Sequence, residues 1–383
     1  IRVVQIAGWG IADTIANISY HAIPKTTFVC TNGTYNCRNV TSMQFVPEPI
    51  FTYEGDKTVV LPSASAMDVE TYYVNLYANN KGISKNREHA SLLEVDSVKS
   101  LIQNIIKNLD NPVQDLLFLS TDKNTFKWTK EDKYIRFAMH SPVSMRVCDE
   151  SGACVGLADD GSLQENIANG YYREFGEGKY LGIPAGETYT VNMTGTDTGT
   201  FTLNMTEESG EGTVSTQTFA DVSVQEGSTA VFSLTTVDDV PALSLDMNGD
   251  GTVDTVVLSE EAKEVVSYDI LKQTISVLPN LFSKPLLVQV KVSEALHKRG
   301  AVIAEKAILF AIQKEIEKHN CELVKGKKGK KPACIEKTHV LEISAILNAM
   351  IENLDTPIKE RKDDIHTRIT ELKEDLKRFF SRR

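Results

Sequence analysis

No uninterrupted apolar run approaches the ~18 residues that suggest a membrane-spanning helix, so no transmembrane segment is expected. No C-x-x-C occurs, and no cysteine cluster has the paired halves of a zinc site, which sets aside dithiol redox and zinc-finger chemistry. Positive charge is also short. Lys and Arg total 41 against 52 Asp and Glu, a net charge of −11, and a phosphate backbone is bound by basic surface, so nucleic acid is not expected as a partner. The one basic run, 325–331 (KGKKGKK), reads as a solvated loop. The histidines show no i,i+4 pair and no metal-ligand spacing.

What remains is an ordinary globular composition, 41% hydrophobic and 24% charged, over 383 residues, long enough for two or three domains. Six cysteines fall into three close pairs, Cys30 with Cys37, Cys148 with Cys154 and Cys321 with Cys334. Each pair flanks a turn-rich or lysine-rich stretch, so three local disulfides are expected, and with them an oxidising compartment, secreted or cell-surface. Sequons at Asn17, Asn32, Asn39, Asn192 and Asn204 fit such a surface. The first residues, IRVVQIAGWG, already read as a buried strand running into a glycine turn, and a domain that begins upstream of Ile1 is expected.

Three textures succeed one another. Residues 1–125 mix candidate strands (IRVVQIAG, KTVVLPSASA, TYYVNLYA) with an amphipathic helix whose stripe is Leu92, Val95, Val98, Leu101, Ile102, Ile105 and Ile106, an α/β pattern. Residues 126–259 alternate apolar with Thr, Ser and Gly in short strands between turn signals, the signature of an antiparallel β-sandwich. Residues 260–383 are helical. One stripe is Ile303, Ala307, Ile308, Ile312 and Ile316, and a second is Ile343, Ile346, Leu347, Met350, Ile351 and Leu354, with Cys321 and Cys334 placed to close a helical hairpin between them. A heptad-like stripe over 358–380 is a candidate for helix-mediated self-association.

Gly55-Asp56 lies in a turn beside an apolar segment, and His89 lies in a polar loop just before the amphipathic helix. A carboxylate at a strand end and a histidine ahead of a helix can meet at one edge of an α/β sheet. There the carboxylate holds the imidazole in the tautomer that serves as a general base toward a hydroxyl. The stretches Val4-Gln5-Ile6-Ala7-Gly8-Trp9-Gly10, Tyr53-Glu54-Gly55-Asp56-Lys57-Thr58-Val59-Val60 and Glu88-His89-Ala90-Ser91-Leu92-Leu93 resemble the C-terminal third of the lecithin–cholesterol acyltransferase family of α/β-hydrolases. The resemblance covers roughly 1–110 and implies that Asp56 is the acid and His89 the base of a serine triad. Lys57 departs from the family, which often has a small or acidic residue there. In α/β-hydrolases the order is nucleophile, acid, histidine, and these residues hold no G-x-S-x-G, so the nucleophile is expected upstream.

Asp246-Met247-Asn248-Gly249-Asp250-Gly251-Thr252-Val253-Asp254 puts oxygen side chains at every second position and glycine at the sixth. Asp246, Asn248, Asp250 and Asp254, with the Thr252 carbonyl, are candidate ligands for a structural Ca2+. Val257 stands where an EF-hand has its bidentate glutamate, and the flanks read as strands, so the loop is not an EF-hand. Taken together, the sequence leads to a multidomain chain: the C-terminal part of an α/β-hydrolase domain, an antiparallel β-sandwich, then an α-helical hairpin or bundle. The expected function is part of a secreted serine hydrolase, a lipase, esterase or acyltransferase, with acyl esters or lipids as substrate. The alternative is a surface binding or adhesion protein with a vestigial hydrolase domain.

Overall fold

The computed structural model describes residues 2–30, 37–83, 85–125, 128–140, 142–158, 160–324 and 333–355; the side chains of 21–30, 37–42, 44 and 355 are not among those described. The 358–380 stripe and the lysine run therefore lie outside the described residues. By compactness the chain forms two units, Ile1–Pro241 with Leu245–Thr252, and Ala242–Ser244 with Val253 onward. The α/β segment and the strand-rich segment share the first unit.

In the α/β segment, β1 (Val4–Trp9) leads into a long hairpin of β2 (Thr14–Cys30) and β3 (Cys37–Thr52). The short α1 (Leu61–Ala64), β4 (Glu70–Asn75), α2 (Leu76–Ile83) and a 3-10 turn (His89–Glu94) follow, then α3 (Asp96–Ile106) and the two-residue β5 (Leu119–Ser120). β1 and β4 are parallel neighbours in register Val4↔Glu70 to Trp9↔Asn75, and β5 adds antiparallel to β4. Their core joins Tyr72, Val74 and Leu76 to Leu92, Val95, Val98 and Leu101. Those last four belong to the seven-residue stripe read in the sequence, but Leu92 and Val95 precede α3; Ile102 and Ile105 pack against this core, and Ile106 is 78% exposed in the last turn of α3.

Two expectations are corrected. KTVV is not a strand. Asp56 gathers the amides after it into a turn, Lys57 takes a left-handed φ of +83°, and Pro62 opens α1. The hairpin 14–52 was not expected at all, because Pro24, Pro47 and Pro49 interrupt its pattern. In a two-stranded ribbon each strand keeps one unpaired edge, and there a missing N–H costs no ladder bond. Its register places Cys30 opposite Cys37.

Ten strands follow: β6 (Tyr134–His140), β7 (Val143–Asp149), β8 (Cys154–Leu157), β9 (Leu163–Glu165), β10 (Tyr171–Phe175), β11 (Gly178–Pro184), β12 (Tyr189–Gly195), β13 (Gly199–Ser209), β14 (Gly212–Val224) and β15 (Thr229–Leu234). They form two five-stranded sheets, β10-β11-β6-β13-β14 and β15-β12-β7-β8-β9, with every neighbour pair antiparallel. Alternate residues are buried, Val143, Met145 and Val147 on β7 and Phe201, Leu203 and Met205 on β13, as a sheet with one covered face requires. The Cys148–Cys154 disulfide bridges β7 and β8 directly across their ladder.

The second unit holds β17 (Thr255–Leu258), all but the last residue of its partner strand β16 (Ala242–Leu245), and, among the described residues, five helices. These are α4 (Glu260–Val265), α5 (Tyr268–Ser276), α6 (Asn280–Lys298), α7 (Val302–Lys318) and α8 (Lys337–Asp355). Ser259 and Ser267 cap α4 and α5, accepting from the amides of Ala262 and Ile270. The core takes Ile343, Ile346, Leu347, Met350 and Ile351 from α8, as the sequence stripe anticipates. On α7 the buried line is Glu305, Leu309, Ile312 and Ile316; Ile312 and Ile316 of the expected stripe are in the core and Ile308 packs against it, whereas Ala307 is exposed and Ile303 is 88% exposed in the first turn. The Cys321–Cys334 disulfide lies between α7 and α8.

Candidate functional site

The acid loop is built by two close approaches. After β1 the chain turns at Gly10, whose φ is +96°, and the Gly10 amide donates to the Tyr53 carbonyl at 2.8 Å while Ile11 N donates to Gly55 O at 3.1 Å. These bonds bring the end of the hairpin beside the end of β1. A Cβ on Gly55 would stand 2.4 Å from the Thr14 methyl and 2.7 Å from the Val59 carbonyl, so only glycine fits ahead of the aspartate. Asp56 then closes its own turn: one carboxylate oxygen, Oδ1, accepts from Val59 N at 2.8 Å and Thr58 N at 3.3 Å.

A base of aromatic and ionic contacts supports this loop from the neighbouring sheet. Arg136 of β6 donates through Nη1 to Ala12 O at 2.9 Å and through Nε to Glu208 at 2.8 Å, with the Tyr53 ring 4.8 Å from its guanidinium carbon. The Tyr53 hydroxyl donates to the same Glu208 at 2.7 Å. Burial raises the Tyr53 phenol well above its ordinary value, opposed by Arg136.

The histidine loop comes from the end of β4 through α2. Asn80, fully buried in α2, grips the backbone two residues before His89: its Oδ1 accepts from Arg87 N at 2.8 Å and its Nδ2 donates to Arg87 O at 2.9 Å. Sequence reasoning missed Asn80, because an asparagine that holds a neighbouring loop's backbone carries no motif. Ser91 then accepts from Glu88 N at 3.1 Å and starts the 3-10 turn that His89 opens.

The two expected residues meet. His89 Nδ1 lies 2.8 Å from the free carboxylate oxygen of Asp56, Oδ2, and the His89 amide donates to the Asp56 carbonyl at 2.9 Å. Asp56 is 3% exposed and His89 48%. An ionised carboxylate only accepts, so a neutral ring bonded to it would carry its proton on Nδ1 and keep a lone pair on Nε2. Among the described residues Nε2 has no hydrogen-bond partner. The Asp56 turn follows β3 and the His89 loop follows α2, and the pair stands at the carboxyl end of β1, where a Cβ on Gly8 would meet the Asp56 Cβ at 3.0 Å.

A small polar cavity of about 30 Å³, room for one water, is lined by Asp13, Lys57, Asn80, Glu88 and Arg173 among others; it reaches the neighbours Lys57 and Glu88 but is lined by neither Asp56 nor His89. Burial pushes the Asp13 carboxyl up, against the opposing pull of Arg173 and Lys57. A larger cavity of about 600 Å³ is lined by Trp9, Tyr53, Glu54, Leu61 and Trp128. Neither Asp56 nor His89 lines it, although Glu54 places its wall two residues from the acid.

The second expected site is arranged differently. Asp246 is buried, and both its oxygens serve backbone amides: Oδ1 accepts from Asn248, Gly249 and Asp250, and Oδ2 accepts from Gly251 at 2.6 Å. Asn248 and Asp250 accept from the amides of Asp250 and Thr252. Gly249 and Gly251 have φ of +71° and +84°, the left-handed turns the sequence expected at the bend. Asp254 pairs with Lys337 of α8 at 3.1 Å. Among the described residues no three His, Cys, Asp or Glu side chains converge as a metal-holding group.

No family model and no curated protein matches this chain. Among solved structures it is similar to a domain of unknown function from Bacteroides vulgatus, over 29% of this chain and 97% of that one, at 12% identity and a TM-score of 0.17. A likeness that low fixes no fold.

Proposed function

We propose that this chain supplies the acid and the base of a serine hydrolase that acts on acyl esters, lipids included. The observation that carries the reading is the 2.8 Å contact between a buried carboxylate and a half-exposed imidazole, held by the turn after β3 and the loop after α2. Such a pair fixes the tautomer and offsets the imidazolium that forms when Nε2 takes a proton from a hydroxyl. The attacking hydroxyl is proposed to lie outside these 383 residues, which hold no G-x-S-x-G. Attack on the ester carbonyl would form an acyl-enzyme. His89 would return the proton to the leaving alcohol, and water or a second alcohol would take the acyl group.

The finer architecture belongs to the same reading. The α/β segment is read as the C-terminal part of a hydrolase domain, the two five-stranded sheets as a β-sandwich beside it, and the helical unit as an interaction element. Two disulfides fit an oxidising compartment, and secretion to the cell exterior is proposed on that basis. Among the described residues no helix is long and apolar enough to cross a membrane.

Calcium is proposed for the loop at 246–254 as a structural ion. The alternating oxygens and two left-handed glycines suit a hard cation. The turn is already held by amides on both Asp246 oxygens; Oδ2, with the Gly251 amide alone, keeps a lone pair for a cation, and Asp254 is paired with Lys337.

The test is ester hydrolysis by the full-length protein on p-nitrophenyl butyrate and on a long-chain glyceride, with His89→Ala beside the wild type. Loss of turnover on both substrates is expected. Undiminished turnover in the variant would remove His89 from the mechanism.

A further inference from the structure

The residue after the acid and the residue before the base are bound to each other. Lys57 follows Asp56, Glu88 precedes His89, and the Lys57 ammonium forms an ion pair with the Glu88 carboxylate. Both side chains are about two-thirds covered, 28% and 33% exposed, so solvent screens the pair less than it would a surface pair.

The backbone at Lys57 makes this pair more telling. Its φ of +83° lies in the left-handed region, where glycine is at ease and a lysine is strained. Glycine would hold the same turn without that strain, so what the position gains from lysine is the side chain. The turn is tied down independently, since Lys57 N donates to Thr14 Oγ1 at 2.8 Å and Thr14 in turn donates to Ile11 O at 2.9 Å. Glu88 is tied down on its own side by Ser91.

The charged neighbours are matched among themselves. Arg173 pairs with Asp13 and with Glu165, and Arg87 pairs with Glu94. Lys57 and Glu88 pair with each other at the wall of the small polar cavity; Lys57 also draws on the Asp13 carboxyl, and the Glu88 carboxylate also accepts from the Ser91 amide.

Geometry shows what the pair can do. The loops of Asp56 and His89 otherwise touch through two bonds, His89 N to Asp56 O and Nδ1 to Oδ2. Two contacts define an axis about which one loop can rock against the other. A third contact off that axis removes the rotation and keeps the imidazole in line with the carboxylate. We propose that the Lys57–Glu88 ion pair is that third contact, a clamp of two positioning residues that holds the His89 ring on Asp56. The proposal rests on the reading of Asp56 and His89 as acid and base. It assigns a role to the residue at which this chain departs from the family it resembles.

The experiment follows the proton on His89 Nδ1 in the full chain labelled with ¹⁵N-histidine, measuring its exchange with water. The variants are Asp56→Ala, Lys57→Gly, Glu88→Gln and the swap Lys57→Glu with Glu88→Lys. Exchange is expected to accelerate roughly threefold to fivefold in Lys57→Gly and in Glu88→Gln, the scale of a partly exposed ion pair. The thermal midpoint of Lys57→Gly should not fall, since glycine relieves the backbone, and the swap should return exchange toward wild type. Wild-type exchange in both single variants, or acceleration that the swap does not reverse, overturns the clamp while leaving the dyad standing. A proton signal that is absent in the wild type, or that survives Asp56→Ala, overturns the dyad reading itself.

Discussion

Asp56 and Asp246 are both buried aspartates in glycine-bearing turns, and they spend their oxygens differently. Asp56 commits one oxygen to the amides of Thr58 and Val59 and leaves the other for His89. Asp246 commits both, to the amides of Asn248, Gly249, Asp250 and Gly251. A turn that leaves one oxygen free can serve a side chain at once. A turn that uses both is held together by its own amides, and only the lone pair left on Oδ2 can face a ligand. A third carboxylate completes the series: Glu294 of α6 gives one oxygen to Lys272 and the other to Lys298, with no backbone amide among those partners.

The largest expected effect breaks the first half of that comparison. On the proposed reading, Asp56→Asn keeps the turn's acceptor but puts a neutral amide against His89. On the serine-triad pattern, turnover should fall by about 10⁴-fold. An unchanged rate, measured on p-nitrophenyl butyrate, would mean that the free oxygen is not what matters. Next comes Asp246→Ala, which strips four amides of a charged acceptor and is expected to cost about 3 kcal/mol of stability. Denaturant unfolding checks the magnitude, and no change is expected in the His89 signal. Calcium sharpens the same contrast: a saturating excess of ~100 times Kd should stabilise the folded state by about 2.7 kcal/mol. The gain should be absent in Asp246→Ala and reduced in Asp254→Asn, as followed by thermal melting with and without a chelator.

The smallest effect falls on Glu294, whose two lysine partners hold its carboxyl down to about 2. A depressed folded value contributes stability above the ordinary carboxylate range, and that contribution is lost as pH falls from about 4.5 towards about 2. In Glu294→Gln the acid limb of the stability profile should flatten in that window. A profile identical to wild type would show that the two lysines act on this carboxylate too weakly to register.

Much of this was legible in the sequence where period and burial agree. YIRFAMH and VSMRVCD are β6 and β7 residue for residue, because alternate side chains on a half-covered sheet leave a two-residue pattern. The α8 stripe was equally plain. The β2–β3 hairpin was hidden by prolines that a ribbon edge tolerates, and KTVV looked like a strand because three apolar or β-branched residues outweighed one turn-forming aspartate. On α7 the buried line includes Glu305, which bonds Tyr268 and His297, and a search for apolar residues passes over a buried acid. At the site, Asp56 and His89 were readable as a pair from order, spacing and flanking motifs. Asn80 and the Lys57–Glu88 pair were not, since both act through contacts that only the fold brings together.

The most direct test of the dyad is the ¹⁵N shift pair of His89 in the wild-type chain at neutral pH, which tells which ring nitrogen holds the proton. The Asp56 contact predicts a proton on Nδ1 with Nε2 bare, and loss of that preference in Asp56→Ala. A proton on Nε2, or an even mixture of tautomers in the wild type, would contradict it.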